Sequence, residues 1–145
     1  MSRNIPPPSQ KMQDVNSYIF DVTINHSLLI KVDGDKPFLL LLKNNSMIEV
    51  ADKDKKDSAS LATQSPPTYG YLYPQERNSN RVLVGTMSGE LMYLEVEKKR
   101  ITKLWSIEEN SKGRVNCIVQ VKNGFMVFRE GIYEMWNTNR ECLGK

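Results

Sequence analysis

The feature that most limits the folds open to this sequence is a weak internal repeat. Sliding the chain against itself by 42 residues places 82–101 on 124–143 without a gap, and Leu83-Val84 then meets Phe125-Met126. A shift of 43 residues adds an earlier copy that ends near Ala51. Self-similarity at such a period marks units that leave apolar surface open and must stack on their neighbours. The sequence therefore predicts three weak copies of one unit.

Apolar residues in these copies come in short bursts rather than at helical spacing, and turn signals such as Asn123-Gly124 separate the bursts. No window supports a helix longer than about three turns. The predicted strands are Ser17–Thr23, Leu28–Val32, Phe38–Leu42, Met47–Ala51, Tyr69–Tyr73, Arg81–Thr86, Leu91–Val96, Ile101–Trp105, Val115–Val121, Phe125–Phe128 and Ile132–Trp136. The predicted fold class is all-β.

The period lies within the roughly 40 to 45 residues of a four-stranded propeller blade. At this point the chain resembles the WD-repeat family of β-propellers, with Trp136-Asn137, Leu94-Glu95 and Ala51-Asp52 in place of the Trp-Asp dipeptide. The sequence departs from the family in having no Gly-His pair. The resemblance implies blades of four antiparallel strands, with Val115–Val121 as the inner strand of the last blade, and it favours Phe38–Leu42 as another inner strand.

Two polar stretches flank or interrupt the predicted domain. Residues 1–15 contain Pro6-Pro7-Pro8 and few apolar residues, which is typical of a disordered leader. Residues 53–67 combine a charge run with a closing Pro-Pro pair, which predicts a flexible insertion. The propeller-like domain is expected over 16–145.

The number of blades is too small for a closed ring. Closed propellers have about four to eight blades, whereas about 130 residues remain for about three. An open stack exposes the faces of its terminal blades, and such faces favour association. We therefore expect an incomplete propeller that another chain, or sequence beyond this one, completes, with Ser17–Thr23 as an outer strand of the last blade.

The sequence offers little for catalysis, metal binding or a cofactor. A net charge of +3 is too small to favour nucleic acid or anionic membrane, and no Gly-rich phosphate motif occurs. The single histidine, His26, lies among turn-forming residues, and Cys117 and Cys142 fall on non-adjacent strands of one predicted blade. We expect reduced thiols, a cytoplasmic or nuclear location, no membrane span, no small-molecule substrate, and no enzyme activity.

Partner-binding residues are expected in the loops between second and third strands, where the resemblance implies that ligands dock. The candidates are Asn44, Asn45, Met87, Arg129 and Glu130. Met87 and Arg129 are equivalent under the 42-residue shift, and exposed methionine and arginine are enriched at interface centres. The alternative is that all of these are ordinary turn residues in water.

The function predicted from these features is a non-catalytic scaffold that binds protein partners through loops and open blade surfaces. Two alternatives stay open. One is a small β-domain that binds nucleic acid or phosphoinositide through basic residues and the aromatic strand around Tyr71. The other is the regulatory domain of a multidomain enzyme.

Overall fold

The structure is a computed structural model that describes residues 22–32, 36–51, 58–74, 79–108 and 113–144. The predicted leader, 1–15, and most of the predicted strand Ser17–Thr23 lie outside this range. The strands are β1 Ile24–Val32, β2 Lys36–Lys43, β3 Met47–Ala51, β4 Ser58–Ala62, β5 Pro67–Leu72, β6 Arg81–Thr86, β7 Leu91–Glu97, β8 Arg100–Ile107, β9 Val115–Val121, β10 Gly124–Arg129, β11 Ile132–Asn137 and β12 Cys142–Gly144. The described ranges contain no helix, and so none that could cross a membrane.

The strands form three four-stranded antiparallel sheets, in which each strand pairs with the next along the chain. We name these sheets blade A (β1–β4), blade B (β5–β8) and blade C (β9–β12). The first strands of neighbouring blades contact each other, β1 with β5 and β5 with β9. They are therefore the inner strands of a radial stack. This is a propeller-like arrangement that does not close, and it confirms the predicted fold class.

Each blade has a forward face, which points toward the next blade in chain order, and a backward face on the other side. The forward face of blade A and the backward face of blade B enclose one apolar core, in which Leu40, Leu42, Val82 and Leu94 are fully buried. The forward face of blade B and the backward face of blade C enclose a second core around Leu83, Phe125 and Trp136. Burial between stacked blades removes apolar surface that a single sheet leaves open.

Close contact between blades B and C depends on a residue without a side chain. Gly85 lies on β6 and faces β9, and a Cβ atom added there would stand 2.3 Å from the Cβ atom of Val115. Next to it, the Thr68 hydroxyl donates a hydrogen bond of 2.6 Å to the Val115 carbonyl. The Val115 side chain of the inner strand β9 therefore packs directly on the backbone of β6, where no other residue type leaves room for it.

Two strand expectations differ from the structure. Phe38–Leu42 belongs to β2, the second strand of blade A, because β1 precedes it in the sheet and makes the contact with β5. The predicted insertion 53–67 contains strand β4, Ser58–Ala62, which pairs with β3 and is followed by β5 from Pro67. Small side chains such as Ala59 serve at this position because an outer strand has little core to fill.

The ungapped 42-residue alignment is also wrong by one residue over the second strand. Val82 pairs with Leu94 in blade B and Phe125 pairs with Trp136 in blade C, so Val82 corresponds to Phe125 at a spacing of 43. The third strands keep a spacing of 42, because five residues lie between the paired residues Gly85 and Leu91 in blade B, whereas four lie between the equivalent pair Phe128 and Tyr133 in blade C. A one-residue slip exchanges the two faces of a strand, and this slip changes which residues are equivalent.

Candidate functional site

The turns that contain the predicted binding residues join the second and third strands of the three blades. In blade A, Asn44 is half-buried. Its side-chain Oδ1 accepts a hydrogen bond of 3.0 Å from the Thr23 backbone N–H, and its backbone N–H donates to the Thr23 carbonyl at 2.9 Å. Asn45 is exposed at the tip of the same turn. Asn44 thus holds the chain that enters β1, whereas Asn45 is open to solvent.

In blades B and C, Met87 and Glu130 are exposed, with 45% of the Met87 surface open to water. Arg129 is not, since only 4% of its surface is exposed. The expectation of an exposed arginine is therefore wrong, and so is the equivalence of Met87 with Arg129. Arg129 ends β10 as Thr86 ends β6, and both residues are buried.

Arg129 joins blade B to blade C. Its Nε donates to Glu134 Oε1 at 3.2 Å, and its Nη1 donates to the carbonyls of Gly89 at 3.0 Å and Gly113 at 2.8 Å. The same Glu134 oxygen accepts a hydrogen bond of 3.1 Å from Trp136 Nε1. Because Gly89 belongs to the turn after β6, this guanidinium ties the turn of one blade to the sheet of the next. Charge-assisted hydrogen bonds of this kind hold a fixed geometry.

The forward face of blade C is apolar and uncovered. On this face Met126 pairs across the sheet with Met135. The equivalent cross-strand pairs are Leu83 with Tyr93 in blade B and Leu40 with Val50 in blade A. The pairs in blades A and B are almost wholly buried by the next blade, whereas Met135 is 37% exposed. Tyr133, in the position of the fully buried Leu91, is 52% exposed. The surface has the composition of an interblade contact without a neighbour among the described residues.

The backward face of blade A shows the same pattern at the other end of the stack. Leu39 pairs with Ala51 and is 40% exposed, and Leu29, which pairs with Leu39 across β1 and β2, is 66% exposed. In blade B the position of Leu39 is held by Val82, which is fully buried against blade A. The number of blades predicted open terminal faces but not which residues lie on them. The signal for those residues is the alternation within each strand, once the one-residue shift is corrected.

His26 also contacts a neighbouring blade. It lies on β1, its Nδ1 accepts a hydrogen bond of 3.0 Å from the Gly70 amide, and its ring stacks on Tyr69 with centroids 4.3 Å apart. Burial lowers the pKa of His26 below its ordinary value. Burial is also the main cause that raises the pKa of Tyr69, with a smaller contribution from its contact with Cys117. This histidine is therefore a neutral interblade contact rather than the turn residue that the sequence favoured.

Neither cysteine forms a disulfide, and Cys142 is exposed on β12 whereas Cys117 is half-buried on β9. Across the described ranges, no three His, Cys, Asp or Glu side chains are grouped so that they could hold a metal ion. The tyrosines of β5, Tyr69 and Tyr71, pack against the core between blades B and C. Their side chains therefore pack in this core, whereas the nucleic-acid alternative needs them at the surface.

Comparison with known proteins supports the fold. No protein-family model and no curated protein match the sequence. Among solved structures, the chain is similar to a propeller domain in the crystal structure of BBS1N in complex with ARL6DN, with a TM-score of 0.62 and 10% identity. The match covers 96% of this chain and 40% of that one. The chain therefore has a propeller-like fold and spans two fifths of the length of this neighbour.

Proposed function

We propose that this chain is a non-catalytic protein-interaction scaffold, a WD-repeat-like part of a β-propeller that acts in the cytoplasm or nucleus of the cell. Its partner supplies further propeller blades, which cover the backward face of blade A and the forward face of blade C. The exposed turn residues Asn45, Met87 and Glu130 lie in the equivalent turns of the three blades, and they add specificity. In the solved neighbour, BBS1N is in complex with ARL6DN, and a protein partner is proposed for this chain by analogy.

The observation that carries the proposal is the equivalence of exposed and buried positions. Tyr133 and Met135 on blade C occupy the places of Leu91 and Tyr93 on blade B, whose side chains are covered by blade C itself. Single exposed apolar residues are ordinary on a protein surface, but several on one sheet face form a patch that marks an interaction site. A surface built to the pattern of a blade contact is best matched by another blade.

The proposal is tested by affinity capture from native extract with the full chain. The variants are Leu39→Asp on blade A and Tyr133→Asp on blade C, and the control is Leu104→Asp, since Leu104 on β8 is as exposed as Leu39 at 40% but lies on the middle blade. We expect the wild type and the control to retain a protein that contains propeller repeats, and at least one face variant to lose it. Equal capture by all four chains would refute the proposal.

Salt separates the proposal from the nucleic-acid or phosphoinositide alternative. Binding through phosphates releases counterions and weakens steeply as salt increases. Association of apolar blade faces does not. We therefore expect capture to persist between about 50 and 500 mM salt, and a loss over this range would favour the alternative.

A further inference from the structure

Two ion pairs occupy the same position on the backward faces of blades A and C. Lys43 ends β2 as Arg129 ends β10, and Glu49 pairs across the sheet with Leu41 as Glu134 does with Val127. The Nζ of Lys43 lies 3.1 Å from Glu49 Oε1, and the Nε of Arg129 lies 3.2 Å from Glu134 Oε1. The same type of ion pair, between the last residue of the second strand and a glutamate of the third strand, thus occurs twice in the chain.

The two pairs differ in what covers them. The side chains of Arg129 and Glu134 are 0% exposed, because blade B lies over them, whereas those of Lys43 and Glu49 are 21% and 35% exposed. The guanidinium of the covered pair also binds the carbonyl of Gly89, in the turn of the blade that covers it. The Lys43–Glu49 pair therefore lacks a covering blade among the described residues. By analogy with Arg129, a turn carbonyl that accepts a hydrogen bond from Lys43 would have to come from a blade placed before blade A.

The same chain carries such a turn at its other end. Gly131 in the turn after β10 corresponds to Gly89 in the turn after β6, and both have positive φ angles, 79° and 107°. Gly89 is buried beneath Arg129, whereas Gly131 is exposed. Below it, the forward face of blade C presents Met126 and Tyr133 without a covering blade among the described residues. Blade C therefore has both features that a partner of Lys43 needs.

We propose that blade C of a second copy of this chain docks on blade A, with Lys43 donating to the Gly131 carbonyl of that copy and Leu39 packing on its Tyr133. The contact joins different surfaces of the two copies, and such contacts close into a ring when the rotation permits. Two copies form two such contacts and supply six blades, which lies within the range of closed propellers. This inference rests on the proposed function and names the partner.

The test is the mass of the full chain in solution, measured by sedimentation equilibrium up to about 100 µM. We expect a wild-type particle of twice the 16.7 kDa of one chain. Leu39→Asp and Tyr133→Asp each place a carboxylate in both contacts of the ring, and each should raise the dissociation constant at least about 100-fold. Leu104→Asp should leave it unchanged. Circular dichroism of each variant identifies any that does not fold.

Mixing the two face variants provides a sharper test. The Leu39→Asp chain retains a normal blade C and the Tyr133→Asp chain retains a normal blade A, so an equimolar mixture restores one of the two contacts. We expect heterodimers in the mixture at concentrations where each variant alone is monomeric. An interface between identical patches gives no such recovery, and that result would overturn the inference.

The outcomes distinguish this inference from the proposed function. A wild type that is monomeric over the whole concentration range rules out the second copy, while the capture experiment decides separately whether another protein supplies the blades. A dimer that both face variants disrupt, combined with capture of this chain itself and of no other protein, supports the second copy and excludes a different partner. A dimer that neither variant disrupts refutes the second-copy contact described here.

Discussion

Arg129 connects two blades with a charge that is removed from water. Its guanidinium reaches one carboxylate and two backbone carbonyls, and Glu134 in turn accepts a hydrogen bond from Trp136. A buried ion pair gains little over well-packed apolar residues, but removal of one partner leaves the other charge uncompensated. The residue is therefore a structural contact of blades B and C, and its exposed neighbour Glu130 is the better candidate for binding.

Replacement of Arg129 tests this role. Arg129→Met should lower the free energy of unfolding by about 3 to 5 kcal/mol, because the Glu134 carboxylate loses its counter-charge in the core. Denaturant unfolding measures the change. Arg129→Met combined with Glu134→Gln removes both charges and keeps an acceptor for Trp136, so the double variant should be more stable than the single one. If the losses of stability caused by Arg129→Met and Glu134→Gln simply add, the two side chains do not form a coupled buried pair.

His26 predicts a pH dependence of stability. Its pKa is lowered in the folded chain by burial, so the unfolded chain, with an ordinary value near 6.5, binds the proton more readily. The contribution of His26 is therefore complete above about pH 6.5 and is lost as the pH falls through the folded pKa. Because the ring is half-exposed, the slope should stay well below the roughly 1.4 kcal/mol per pH unit of a full proton.

Titration of the imidazole by NMR checks the direction directly, since His26 is the single histidine. We expect its measured pKa below 6.5, and His26→Gln, which can still accept the Gly70 hydrogen bond, should flatten the stability profile between pH 5 and 7. A folded pKa above 6.5 would show that the contact with Gly70 does not hold the neutral ring.

At the scale of the elements, the second and third strands of each blade provide most of the apolar surface. Their faces are set by strict alternation, which is why Leu40 points forward while Leu39 points backward. Turn length decides how this alternation continues into the next strand. The first strands lie near the axis, where Val115 of β9 packs against Gly85 of the second strand β6 and its carbonyl accepts a hydrogen bond from Thr68 of the first strand β5.

Substitution of Gly85 tests this close approach. Gly85→Ala should destabilise the chain by about 1 to 3 kcal/mol, because its Cβ would overlap Val115. Val115→Gly by itself should also destabilise, since it leaves a cavity and frees the backbone. The combination Gly85→Ala with Val115→Gly removes the Cβ atom that the new methyl group would meet, so its loss of stability, measured by thermal or urea unfolding, should be smaller than the sum of the two single losses. Full additivity would place the two residues apart.

Within the described ranges, the three stacked blades have two internal contacts and two open ends. The internal contacts bury the apolar side chains of four faces, and the remaining two faces keep Leu29, Leu39 and Tyr133 in water. A closed ring would remove this exposure. Under the proposed function, association would stabilise the chain, and its folding and its binding would depend on the same type of contact.

Substitution of Lys43 should affect the association of two chains more than the folding of one. In the isolated chain its ion pair with Glu49 is partly buried, so Lys43→Ala should lower the free energy of unfolding of the monomer by about 1 kcal/mol or less. Under the proposed ring the same change removes a covered hydrogen bond, and the dissociation constant should rise about tenfold or more. Lys103→Ala is the control, since Lys103 lies 3.7 Å from Glu90 on the middle blade. Equal effects of both variants on association would exclude a special role for Lys43.

Local sequence determined much of this architecture. Bursts such as Arg81–Thr86 and Val115–Val121 predicted strands with the observed ends, because apolar β-formers bounded by turn residues have few other stable conformations. The repeat predicted three units and two open ends, since stacking of similar sheets follows from their period. Ser58–Ala62 escaped prediction because small polar and apolar residues at a sheet edge resemble a loop.

Only the tertiary structure decided which residues face a neighbour and which face water. A difference of one residue between two turns reverses the face of a strand, so Arg129 moved from the expected surface into the contact of blades B and C. His26 likewise became an interblade contact because a distant strand supplies its partner, the Gly70 amide. Alternation along each strand predicts that a sheet has an apolar face. Contacts between strands that are distant in the sequence decide which side chains of that face are buried.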